Sequence, residues 1–296
     1  MLIDLLLTMI APLLWGTTYY VTTQWLPPDR PWLAAVARAL PAGLALLALS
    51  RQPLPSGWRW RTLLLGALNF GWFFPLLFVA AYRLPGGVAA TMGAIQPLIV
   101  LGLAWPALGQ RPRSGQIGLG LLGIIGIALL VLGPTAQLDP LGISAALGSS
   151  VLMASGTVLT RRWGHPASLA AYSGWQLLAG SVLLIPLGLA LEGPPPPLTQ
   201  SHIAGMAYLS LANTALTYVL WFRGIQRLPT AAVTFLPLLS PVVAAILGFV
   251  ALGQAFTGAQ ITGIGVVLLS VAGAQWLGAC SERTTTRRSA GRRPEH

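Results

Sequence analysis

The chain has 296 residues, 55% of them hydrophobic and only 8% charged, with a mean hydropathy of +0.73. A soluble domain carries about a quarter charged residues, so this chain cannot clothe a globular surface, and its apolar content excludes intrinsic disorder. The net charge of +11 comes from 17 arginines, set singly or in pairs between apolar runs with one terminal cluster, which excludes a basic nucleic-acid groove interleaved with aromatics.

Continuous apolar runs predict an all-α membrane protein of ten transmembrane helices, since about 20 apolar residues span a bilayer. Alternating strands of a β-barrel are absent from the pattern. In chain order the helices fall at about 4–25, 32–50, 61–82, 86–108, 114–133, 140–161, 168–191, 203–223, 230–252 and 257–279. Leu26-Pro27-Pro28-Asp29-Arg30-Pro31 separates the first two, and Gly253-Gln254-Ala255-Phe256-Thr257 the last two. The first helix lacks a basic leader and a small-residue cleavage site, so it reads as retained. Glycines recur in helices five and ten and mark them as scaffold or a dimer-facing edge. The arginine-rich tail, 281–296, is expected to be disordered beside anionic headgroups.

Arginine asymmetry sets the expected orientation. With the N-terminus in the cytoplasm, fourteen arginines fall inside: Arg51, Arg59, Arg61, Arg111, Arg113, Arg161, Arg162, Arg223, Arg227 and the five of the tail. Arg30 and Arg83 fall outside. Both termini are then cytoplasmic and the helix count is even.

The chain also repeats itself. At an offset of 144, Asn69 meets Asn213, Arg83-Leu84-Pro85 meets Arg227-Leu228-Pro229, Pro97 meets Pro241, and Leu108-Gly109-Gln110 meets Leu252-Gly253-Gln254. Gly16-Thr17 meets Gly156-Thr157 at offset 140, and Ala42-Gly43 meets Ala179-Gly180 at 137. Residues 1–137 form a first five-helix repeat and 138–280 a second. Five is odd, so the second repeat must be inverted, an architecture of secondary transporters with a midplane substrate site. An inert duplicated bundle is the bland alternative.

These paired patterns, with Ala11-Pro12-Leu13-Leu14-Trp15-Gly16-Thr17-Thr18-Tyr19, resemble the EamA-type members of the drug/metabolite transporter superfamily. The resemblance covers the whole chain and is closest to bacterial exporters of amino acids, including the aromatic amino-acid exporter. It implies a bacterial-type inner-membrane carrier for small molecules. The family's usual Gly-Glu reads Gly-Gln at Gln110 and Gln254, which removes two acids near helix ends.

Arg38 is the single arginine inside an expected span, with no membrane acid to pair with it. It reads either as a contact for a substrate anion or gate or as a side chain snorkelling outward. Asn69, Gln96, Gln176, Asn213 and Ser240 read as a polar cavity lining or as hydrogen-bonded packing between helices. Trp15, Tyr19, Phe70, Phe73, Phe74, Trp175 and Tyr218 lie deep enough to stack on an apolar substrate, or simply to pack. Pro97 and Pro241, about twelve residues into their helices, are expected to kink them as hinges or as static bends.

No phosphate-binding Gly-rich loop points to ATP. The three histidines are far apart and the single Cys280 forms no cluster, so neither a metal, a cofactor nor an enzyme is expected. Without a membrane carboxylate to relay protons, facilitated export or exchange is favoured over proton coupling. The expected partners are a small-molecule substrate and the bilayer, the chain acting as a monomer or homodimer. The rival readings are a carrier of the same fold for drugs, nucleosides or other metabolites, and a channel or membrane scaffold.

Overall fold

The computed structural model describes residues 2–84, 93, 95–131, 139–252 and 257–290. Regular structure among them is entirely helical. Seven helices are long and apolar enough to cross a membrane: α1 (Leu2–Trp25), α2 (Pro31–Ser50), α3 (Arg59–Arg83), α6 (Pro140–Trp163), α7 (Leu169–Glu192), α8 (Gln200–Arg227) and α10, with its apolar part at Gly258–Leu277. Three shorter apolar helices complete the series: α4 (Gln96–Leu108), α5 (Ser114–Val131) and α9, with its apolar part at Ala232–Gly248. The expected start of α4 at residue 86 and the break at 253–256 lie outside the described residues.

Helix ends follow local chemistry. Asp139 caps α6 by accepting from the Gly142 N–H at 2.8 Å, ahead of Pro140. Ser168 caps α7, and Thr199 with His202 forms a reciprocal capping box on α8. At its other end α10 departs from expectation. It is helical as far as Ala290, and the rest of the tail expected at 281–296 lies outside the described residues. Propagating an existing helix costs far less than starting one.

Four of the described helices are irregular, and in α3 and α8 the irregularities match across the repeat. α1 breaks between Leu2–Trp15 and Thr18–Trp25. α9 passes from Thr230–Phe235 through a 3-10 turn at Leu236–Leu238 into Leu239–Leu252. α3 and α8 each contain a π-helical turn, Ala67–Gly71 and Leu211–Leu216, which start 144 residues apart and hold Asn69 and Asn213. In these two helices the sequence repeat is also a repeat of backbone defects, whereas α6, the counterpart of α1, runs unbroken from Pro140 to Trp163.

The prolines stand where their helices are interrupted. Pro97 is in the first turn of Gln96–Leu108, and most of the residues before that segment lie outside the described ones. Pro241 is in the first turn of Leu239–Leu252, directly after the 3-10 turn of α9. A residue without an N–H fits such an interruption.

Packing respects the repeat. α2 lies along α7, with Gly43 facing Leu177 and Gly174 facing Leu47. α5 lies along α10, with Gly126 against Val266 and Val267, and Ser270 donating to the Leu119 carbonyl at 2.7 Å. The second half of α3 packs on α6, and α1 on the second half of α8. Ion pairs join helix ends that the arginine count puts on one side. Asp4 meets Arg223 at 2.8 Å, and Arg83 meets Asp139 at 3.2 Å at the opposite end. There the Glu192 carboxylate also accepts from the Trp32 and Leu33 N–H groups at 2.7 and 3.0 Å.

Candidate functional site

Arg38 is 2% exposed, in the middle of α2. Its Nε donates to Thr214 Oγ1 at 2.8 Å, and Nη2 donates to Asn213 Oδ1 at 2.6 Å and to the Asn213 carbonyl at 3.3 Å. The π turn of α8 makes this possible, because its wider register offers acceptors off the regular helical ladder. The Phe74 ring lies 4.5 Å from the guanidinium. Nη1 is buried with no hydrogen-bond partner among the described residues. Arg38 therefore does not snorkel.

Asn213 also fastens the break in α1. Its Nδ2 donates to the Leu14 carbonyl at 2.6 Å and to Thr17 at 3.3 Å, and Thr18 donates to its Oδ1 at 3.2 Å. Its repeat counterpart Asn69 donates to Gln176 Oε1 at 2.9 Å and presses on α6 at Gly156. A Cβ there would stand 1.8 Å from Asn69 Oδ1. At Gly16, the counterpart in α1, it would stand 2.6 Å from the Ser240 carbonyl of α9.

Above these junctions lies a cavity of about 100 Å³. Seven of the thirteen expected substrate contacts line it: Trp15, Tyr19, Arg38, Phe73, Gln96, Tyr218 and Ser240, together with Pro241. Five stand one layer behind. Asn69, Gln176 and Asn213 hold the π turns, and Phe70 and Phe74 buttress Tyr218 with ring centres 4.6 and 6.2 Å away. Trp175 belongs elsewhere. Its indole N–H donates to the Gln52 carbonyl after α2, at 3.2 Å. It is Gln176's neighbour on α7, and one residue turns a helical side chain by about 100°.

One wall of the cavity comes from residues that nothing in the sequence singles out. Ala146, Ser149, Ser150 and Met153 of α6 line the cavity at spacings of three, four and seven, a weakly polar stripe on one helix face. Leu77 and Ala80 extend the Phe73 face of α3 in the same way. These parts of α3 and α6 lie nearest the Arg83–Asp139 end. Toward the Asp4–Arg223 end aromatic packing fills the space: Trp15 on Trp221 at 5.1 Å, Tyr218 on Phe222 at 5.8 Å, and Tyr172 on Phe222 at 5.2 Å.

A family model described as the EamA-like transporter family matches residues 2–132 and 140–275, splitting the chain where the repeat does. Protein PecM of Dickeya dadantii (strain 3937) is 46% identical over 256 residues, 86% of each chain. The uncharacterized transporter YwfM of Bacillus subtilis (strain 168) is 28% identical over 274 residues, 90% of this chain and 91% of its own. The uncharacterized inner membrane transporter YedA of Escherichia coli (strain K12) is 28% identical over 268 residues, 88% and 86% of the two chains. A crystal structure of a protein 22% identical aligns with a TM-score of 0.74, over 93% of this chain and 98% of that one, and shares the fold.

Proposed function

The chain belongs to the EamA-like transporter family, and from that premise we propose that it exports amino acids, aromatic or bulky and apolar, or small metabolites of similar shape. It is a membrane transporter and not an enzyme. The observation that carries the substrate reading is Arg38, a buried cation with one donor unpaired among the described residues, set in an aromatic-walled cavity. A charge inside the membrane is costly and is kept for function. A substrate carboxylate accepts from Nη1 while its side chain rests against Trp15, Phe73 and Tyr218.

The transport cycle is alternating access between two inverted five-helix repeats, ten spans in all, with both termini in the cytoplasm. The arginine distribution supports this orientation in a bacterial inner membrane, and the bias of the cavity toward one end supports the cycle. The substrate gradient drives export. A monomer or homodimer carries all the residues needed.

Counterflow in proteoliposomes, with an internal pool of labelled tryptophan, tests the reading. Saturable exchange of aromatic amino acids is expected, unchanged by an imposed proton gradient. Arg38→Ala is expected to cut exchange about tenfold or more, the worth of a charge-assisted hydrogen bond. No exchange with any amino acid would remove the substrate assignment, and gradient-driven uptake would replace facilitation by proton coupling.

A further inference from the structure

The two halves of the molecule make one junction with two different side chains. Asn69, in the π turn of α3, is tied to α7 by the neutral amide of Gln176 at 2.9 Å. Asn213, in the π turn of α8, is tied to α2 by Arg38 at 2.6 Å. The repeat exchanges these elements, and Gln176, itself fully buried, accepts from Asn69 where Arg38 donates to Asn213, so a neutral amide, which can do either, suffices to tie such a junction. The charge on Arg38 is surplus to that need, and burying it is unfavourable.

Nor does the protein neutralise it. The six acids are Asp4, Asp29, Asp139, Glu192, Glu282 and Glu295, so residues 30–138 and 140–191 contain none, and neither do 5–28 and 193–281. Every residue lining the cavity falls in those acid-free stretches. Among the described residues, Arg38 Nη1 remains without a partner.

We propose that this cavity selects a carboxylate and makes no demand for an amino group, so that its substrate class is the aromatic or bulky apolar monocarboxylate, of which an amino acid is one case. The inference rests on the reading of this cavity as the substrate site. A bound ammonium would lose its water and find no counter-charge, only neutral groups such as Ser149, Ser240 and Gln96. A carboxylate without a neighbouring ammonium leaves no buried charge unpaired. An amine without a carboxylate meets Arg38 as a like charge.

Saturation binding to the purified full-length protein tests this with three labelled probes: phenylalanine, 3-phenylpropanoate and 2-phenylethylamine. The expected result is that phenylpropanoate binds within about threefold of phenylalanine or tighter, and that phenylethylamine binds at least about tenfold more weakly. Arg38→Gln copies the side chain of Gln176 and is expected to keep the melting temperature within a few degrees. It is expected to lose about tenfold or more in affinity for both carboxylates. Arg38→Lys keeps the charge and is expected to keep the preference for carboxylate over amine, a readout that holds even where Arg38→Gln fails to fold.

Phenylethylamine binding as tightly as phenylpropanoate overturns the inference. So does phenylalanine binding without phenylpropanoate binding, which leaves the amino-acid reading intact. Phenylpropanoate binding without phenylalanine binding upholds the inference and overturns the amino-acid reading. Absence of saturable phenylpropanoate binding overturns the inference whatever the other probes do.

Discussion

Asn213 joins three elements through one side chain: the break of α1 at Leu14, Arg38 of α2, and the π turn of α8 that carries it. Asn213→Ala strands the guanidinium and weakens the α1 break together. A loss of about 1–3 kcal/mol is expected in detergent unfolding, with weaker substrate binding. Asn69→Ala loses its bond to Gln176 and is expected to cost less, nearer the ~0.6 kcal/mol typical of hydrogen bonds between membrane helices. Gly156→Ala drives a methyl group into Asn69 Oδ1 and is expected to cost about 1–3 kcal/mol or more. Adding Asn69→Ala to Gly156→Ala should return part of that loss, because the clashing oxygen is gone. A strictly additive double variant would place the strain elsewhere. The equivalence of the two asparagines was legible from the offset. Their place behind the cavity was not, because nothing in the local composition announces a π turn.

At the scale of elements, the broken helices carry the argument. Pro97 and Pro241 stand beside interruptions of their helices, where the regular ladder is already broken, so Pro97→Ala and Pro241→Ala should leave unfolding within about 1 kcal/mol of the parent. Slower exchange in these variants would mark the interruptions as hinges, and unchanged exchange would argue that they only shape the cavity. The start of α6 offers a test by pH. The Gly142 N–H and then Arg83 hold the Asp139 carboxyl below its usual range. A lowered folded pKa stabilises the protein above the unfolded value of about 3.9, and that help is lost as pH falls through the folded value. Asp139→Asn keeps a capping side chain without the charge. The parent's advantage over it in thermal unfolding should be level from neutral pH to about 5, and fall away as pH drops below about 4.

For the whole molecule, the same-side meetings of Asp4 with Arg223 and of Arg83 with Asp139 agree with the division of loops drawn from arginine counting. They do not say which end faces the cytoplasm. In a Cys280→Ser background, His165→Cys should be shielded from an impermeant maleimide in intact cells and Pro197→Cys should label. The reverse pattern would invert the proposed orientation. The α5–α10 contact is a further whole-molecule feature: Gly126 and Gly123 admit Val266, Val267 and Ser270 closely, so the glycine-rich helices meet each other within the chain. That intramolecular partner takes up a face the sequence left open between scaffold and dimer.

The solvent, the helices, the division of loops and the repeat can all be read from the order of residues. Each follows from a local rule: backbone polar groups in lipid must be satisfied within the segment, charge belongs at the ends, and a duplicated unit keeps its spacing. Which faces turn inward was decided only by the tertiary structure. In a lipid-exposed bundle the outer face is as apolar as the core, so hydrophobic periodicity no longer marks the inside. Helix rotation is then set by close contacts such as Gly16 on Ser240 and Gly156 on Asn69, and by π turns that shift the register of all that follows. Those contacts put Trp15, Tyr19, Arg38, Phe73 and Tyr218 around one space, sent Trp175 to a loop, and brought in the α6 stripe from Ala146 to Met153.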